Sequence, residues 1–161
     1  MGLDMYLYVK KRPAEGERTT DLYRSEEELA LLPEEDKQID YEHFHDFPKQ
    51  EFYFLPEVWQ IGYWRKANAI HNWFVENCAG GIDNCEEVLI HPEQLMDLRE
   101  KCLEVIENPI RAADLLPTTV GFFFGSIDYD EWYIQELKDT VEIIDRVRLF
   151  PGHDIIYAAS W

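Results

Sequence analysis

The sequence predicts an α+β (or α/β) fold with a single small sheet of about four or five strands packed with three helices. Three observations carry that expectation. The chain opens and closes on segments of strand composition, three stretches carry apolar stripes at helical spacing, and helices and strands alternate through its second half. Its 161 residues suit a single domain, 1–161, with an acidic excursion over 12–50 expected to be partly flexible.

The opening stretch alternates. Leu3, Met5, Leu7 and Val9 point one way and Asp4, Tyr6, Tyr8 and Lys10 the other, which predicts a strand with one buried face and one amphipathic, aromatic face. From Arg12 to Lys49 the chain holds 12 acidic and 5 basic residues with little periodicity, apart from a short helix at Ser25–Leu32 for which Ser25 is the N-cap. Glu51–Ile61 is aromatic and extended, and Pro56 makes it an edge or broken strand. Gly62 then opens a helix expected over Tyr63–Cys78, with Gly80-Gly81 as its stop. Glu86–Ile90 reads as a short strand. Pro92 starts a second helix running to about Glu107, with Leu95, Leu98, Cys102 and Ile106 on one side, and Asn108-Pro109 ends it. Thr118–Phe124, β-branched and aromatic, predicts a buried strand. A third helix follows over Asp130–Val147, with Tyr133, Leu137, Val141 and Ile144 as its core stripe. Acidic residues at its start and Arg146 and Arg148 at its end suit the helix dipole. Asp154–Trp161 closes the chain as a strand. Chain ends often lie close together, so the first and last strands are expected to be neighbours.

Composition narrows the function. Fifteen Lys+Arg against 33 Asp+Glu give a formal net charge of −18, which argues against direct nucleic-acid binding and against docking on anionic lipid. No apolar run reaches the length of a membrane span and no leader pattern opens the chain, so the expected location is the cytoplasm. An odd count of 3 cysteines fits free thiols in a reducing compartment. Cys78 and Cys85 lack the C-x-x-C spacing, and Cys102 sits on a core stripe.

Read as a helix from Tyr63, the segment 63–78 has an apolar arc that includes Tyr63, Trp64, His71 and Phe74. Arg65, Asn68 and Asn72 fall within about 60° on the opposite side, flanked by Lys66 and Trp73. Asparagines are poor helix formers, so Arg65, Asn68 and Asn72, with Trp64, Lys66 and His71 beside them, are the candidate ligand- or partner-binding residues. The alternative is structural: Arg65 pairs with a neighbouring Glu and the asparagines bond backbone carbonyls of the aromatic segment 51–61. His71 would act as a base only if a carboxylate oriented it beside a cleft, and is otherwise a hydrogen-bonded core residue. His43 and His45, followed by Asp46, have metal-binding spacing, but only the distant His153-Asp154 offers a further ligand, so no metal is expected. Gly121-Phe122-Phe123-Phe124-Gly125-Ser126 lacks the lysine of a phosphate loop. Asp128, Asp130 and Glu131 are explained as helix N-terminal residues. No catalytic residue and no cofactor are assigned.

The run Gly62-Tyr63-Trp64-Arg65-Lys66-Ala67-Asn68 with His71-Asn72-Trp73-Phe74, the later Leu116-Pro117-Thr118, Gly121–Ser126 and Tyr129-Asp130-Glu131, and the opening Met1–Leu7 resemble a group of small phage and prophage proteins of Gram-positive bacteria with no known activity. The likeness spans both ends and most of Gly62–Leu137. It implies a phage-type cytoplasmic protein. The expected function is non-enzymatic: an acidic binding protein or inhibitor acting on a host protein with a basic surface. The alternative is a small-molecule or nucleotide binder, or small enzyme, with a pocket beside helix 63–78. A deep pocket beside that helix favours the alternative, and a flat acidic face favours the first.

Overall fold

The computed structural model describes residues 2–11, 58–121 and 123–161. The acidic excursion, with its Ser25–Leu32 helix and the His43/His45/Asp46 group, and residues 51–57 lie outside them. Within the described residues the fold is α+β, with four strands in one antiparallel sheet and four helices. The strands are β1 (Asp4–Lys10), β2 (Val58–Arg65), β3 (Val88–Ile90) and β4 (Asp154–Ser160), in the order β2-β1-β4-β3. The helices are α1 (Asn68–Cys78), α2 (Pro92–Glu107), the single turn α3 (Ala112–Leu115) and α4 (Glu131–Val147), with a 3₁₀ turn at Pro109–Arg111 leading into α3.

β1 is a central strand and pairs with β2 on one side and β4 on the other, so the first and last strands are neighbours as expected. Leu3, Met5, Leu7 and Val9 are all fully buried. The other face differs from the sequence reading: Tyr6 and Tyr8 are buried as well, their rings stacked 6.1 Å apart, with Tyr63 of β2 5.4 Å from Tyr6. The aromatic side chains on that face cover one another.

The largest departure is at β2. Tyr63, Trp64 and Arg65 are strand, not helix: Tyr6 pairs with Tyr63, Met5 with Trp64 and Asp4 with Arg65. Gly62 is therefore inside a strand, where a glycine marks a bulge or a close approach. Both occur here. The register shifts between Leu7 and Tyr8, and a Cβ on Gly62 would lie 2.3 Å from Cγ2 of Ile143 on α4. Lys66, with φ of 61°, separates strand from helix, and α1 begins at Asn68. Among the described residues β2 is an edge strand, as expected for the part of Glu51–Ile61 that it includes, 58–61. Its Ile61 carbonyl accepts from Nη1 of Arg146 at 3.1 Å, which covers part of that edge.

The helices α2 and α4 follow the sequence closely. α2 runs Pro92–Glu107 and buries Leu95, Leu98, Cys102 and Val105, with Ile106 only half-buried. Asp130 caps α4, its Oδ1 accepting from the amides of Trp132 and Tyr133 at 3.0 Å each. α4 buries Tyr133, Leu137, Thr140, Ile143 and Ile144, while Val141 is half-buried. Arg99 clamps α2 to α4 through a two-pronged pair with Asp145, at 2.9 and 3.1 Å, and this pairing holds the Asp145 carboxyl below its usual range. The cysteines are free thiols, and burial pushes Cys102 up to about 12.

Thr118–Phe124 is not a strand. Val120 is exposed, and Phe124 alone of the described residues there is buried. The segment is an irregular loop in which the Thr119 amide and the Phe124 carbonyl bond to the Asn68 side chain of α1.

The contact at Gly62 generates a test. Gly62→Ala must displace Ile143 or the strand, a cost of about 1–3 kcal/mol by urea denaturation. In an Ile143→Ala background the same change should cost clearly less, because the methyl it meets is gone.

Candidate functional site

The six residues that the sequence marks fall into two groups. Arg65, Trp64 and Lys66 belong to β2 and the turn after it, so the strip of Arg65, Asn68 and Asn72 does not exist as one helix face. Arg65 is exposed and lies 4.0 Å from Oδ1 of Asp4, which also accepts from the Tyr63 hydroxyl at 2.6 Å. Trp64 is buried, and its Nε1–H donates to Oγ1 of Thr140 at 2.9 Å. Lys66 uses its backbone amide on the carbonyl of Leu3 at 2.7 Å. These three shape the junction of sheet and helix.

Asn68, His71 and Asn72 remain together on α1. Asn68 is buried and uses both ends of its amide on the loop that follows α3. Its Nδ2 donates to the carbonyls of Phe124 at 3.0 Å and Ser126 at 2.7 Å, and its Oδ1 accepts from the amide of Thr119 at 3.0 Å. The structural alternative for this asparagine thus describes it, although the carbonyls belong to a different segment. The loop is tied elsewhere too: the Leu3 amide donates to the Phe123 carbonyl at 3.2 Å, and Thr118 Oγ1 donates to the Ile127 carbonyl at 2.9 Å. Gly121 has no room for a side chain, since a Cβ there would meet the Phe124 ring at 2.4 Å.

His71 is buried, at 2% exposure, with a partner on each ring nitrogen. Nδ1 lies 2.7 Å from the Tyr157 hydroxyl of β4, and Nε2 lies 3.0 Å from Oδ2 of Asp83 in the loop after α1. A carboxylate only accepts, so Nε2 carries a hydrogen, and in the neutral ring Nδ1 accepts from the phenol. Burial, reinforced by the nearby Asp83 carboxylate, drives the Tyr157 hydroxyl well above its ordinary range and keeps it a donor. The other oxygen of Asp83 accepts from Nε1 of Trp161 at 3.0 Å. Tyr157, His71, Asp83 and Trp161 form one line of hydrogen bonds from the core to the surface.

Beside this line lies a cleft of about 460 Å³ between α1 and the loop, whose walls include Asn72, Glu76, Asp83, Thr119, Phe124 and Trp161. Phe124 stands edge-on to His71 at 5.2 Å and to Trp161 at 6.1 Å. Asn72 is half-buried at the wall. The carboxylate that His71 needs is present and so is a cleft, but both ring nitrogens are spent on holding the fold.

Asp83, Glu76, Tyr157 and Trp161 are absent from the residues chosen by sequence. Asp83 follows Gly80 and Gly81, both at positive φ, which reverse the chain after α1 and bring the carboxylate back to His71, 12 residues earlier. No periodic pattern announces such a return. Among the described residues, no group of three or more His, Cys, Asp or Glu is arranged to hold a metal, and His153 lies against the rings of Trp59 and Phe150. Nor, among them, is any helix long and apolar enough to cross a membrane. No family model, curated protein or solved structure matches the chain.

Two substitutions separate the residues. Asn68→Ala strands a buried amide and two carbonyls, so thermal or urea unfolding should show a loss of about 2–4 kcal/mol. Arg65→Ala should change stability by less than about 0.5 kcal/mol, because the side chain is exposed and its pairing long. Equal losses would contradict this division.

Proposed function

We propose that the chain is a non-enzymatic binding protein whose recognition site is the cleft between α1 and the loop 118–126. The observation that carries this reading is the cleft itself. Its volume of about 460 Å³ is within the range of small-ligand sites, and it mixes aromatic walls with a few polar groups. Asn68 joins its two sides and His71 fixes the Asp83 end, so the ligand would meet a largely pre-formed shape. The commitment of both His71 nitrogens to fold hydrogen bonds supports binding over catalysis.

A second reading rests on the charge. With a net −18, the surface would attract a basic partner, and the resemblance to small phage proteins makes a host protein the natural candidate. Here the exposed acidic face of α2 would be the contact, with Glu93 and Glu100 beside Asp97 and Glu104, which already pair with Lys101 and Arg111.

A fragment screen by ¹⁵N-resolved NMR tests the first reading. Hits should shift the amides of Asn72, Glu76, Asp83 and Thr119 together, and Asn72→Trp, which fills the cleft, should abolish them while leaving the dispersed spectrum intact. Hits scattered over the surface, or unaffected by that substitution, would overturn it.

A further inference from the structure

We infer that the cleft takes an organic cation, an ammonium or guanidinium group, seated on the Asp83 carboxylate between aromatic walls. This rests on the cleft being the recognition site and names the chemistry of its ligand. The ionisable lining groups among the described residues are Asp83, Glu76 and His71, with no lysine or arginine. Both ring nitrogens of His71 are engaged, by Asp83 and Tyr157.

Asp83 is suited to the role because it is held on two sides. Oδ2 accepts from His71 and Oδ1 from Trp161, both at 3.0 Å, while 29% of the side chain stays accessible. Both donors are uncharged N–H groups in the neutral ring state, so they aim the carboxylate without neutralising it. A carboxylate has about four acceptor sites. Two are used, and the remainder are available to a donor-rich ligand.

The walls agree with a cation. Trp161 and Phe124 stand 6.1 Å apart and nearly perpendicular, so a ligand beside them meets both a ring face and a ring edge, and aromatic faces attract positive charge. Glu76 adds a second carboxylate, and the half-buried Asn72 side chain has an amide with no hydrogen-bond partner in the described fold. An anion would find one amide and two negative charges. The overall charge of −18 adds a long-range pull in the same direction.

The test is an NMR and calorimetric titration of the full chain at low salt with butylammonium and methylguanidinium, against butanol and butyrate. Either cation should saturate, with shifts at Asp83, Glu76 and Trp161 Nε1. Butanol should bind at least tenfold more weakly and butyrate not at all. Asp83→Asn should weaken the cation at least tenfold and Glu76→Gln about threefold, the latter with an unchanged melting temperature. Should Asp83→Asn fail to fold, Glu76→Gln decides, and an unaltered cation affinity there overturns the inference. Butanol or butyrate entering the cleft as tightly as the cations would overturn the cation while leaving the cleft reading intact. No cleft shift with any probe would overturn both. A capped arginine peptide added as a further arm separates sources: tighter binding than methylguanidinium assigns the group to a partner's side chain, and weaker binding assigns it to a free small molecule.

Discussion

The hydrogen-bonded line through His71 is the constraint on which the site depends. It ties three parts of the chain that share no regular backbone pairing at this point: α1, the end of β4 and the loop that carries Asp83. A buried imidazole with an unmet nitrogen would cost stability, so the fold keeps Tyr157 below it and Asp83 beside it. Tyr157 is itself fixed, stacked on Phe74 of α1 with ring centres 4.0 Å apart. The packing of the core therefore sets the position of a carboxylate near the surface. Asp83 inherits its direction from residues that never reach solvent.

Asn68 does for the opposite wall what His71 does for this one. The two are three residues apart on α1, close to one turn, and both project from the buried side of the helix. One reaches into the loop 118–126 and the other into the loop after α1. Each replaces backbone pairing that an irregular segment cannot supply for itself. The space bounded by α1 and these two loops is the cleft. Such a space is expected to be stiff, because both of its flanks end in satisfied, buried hydrogen bonds.

The sequence made the fold class legible because most elements carry local signals. The alternation of Leu3, Met5, Leu7 and Val9, the Pro92 start, the Asp130 cap and the stripe of Leu95, Leu98 and Cys102 are all local, and all have their expected counterparts. The errors occur where a long-range contact decides. Tyr63, Trp64 and Arg65 fit a helical wheel, yet pairing with β1 draws them into a strand, and Gly62 serves a close packing against Ile143 instead of a helix start. Thr118–Phe124 has strand composition, but Asn68 takes hydrogen bonds that a neighbouring strand would have used. For the site, the histidine and the asparagines were visible as unusual helix residues. Asp83 and Trp161 were not, because their roles arise only when a glycine-rich reversal and the end of β4 meet. The acidic charge was legible from the first count, but a count of charges has no direction. The placement of Asp83 supplies one.

The most direct test of this account is the tautomer of His71, read from ¹⁵N shifts of its ring in the neutral state by long-range proton–nitrogen correlation. The account predicts a single, fixed form with the hydrogen on Nε2, where Asp83 accepts it, and a bare Nδ1 that loses its hydrogen-bond shift in Tyr157→Phe. A ring protonated on Nδ1, or one averaging freely between the two forms, would contradict the claim that this histidine aims the carboxylate at the cleft.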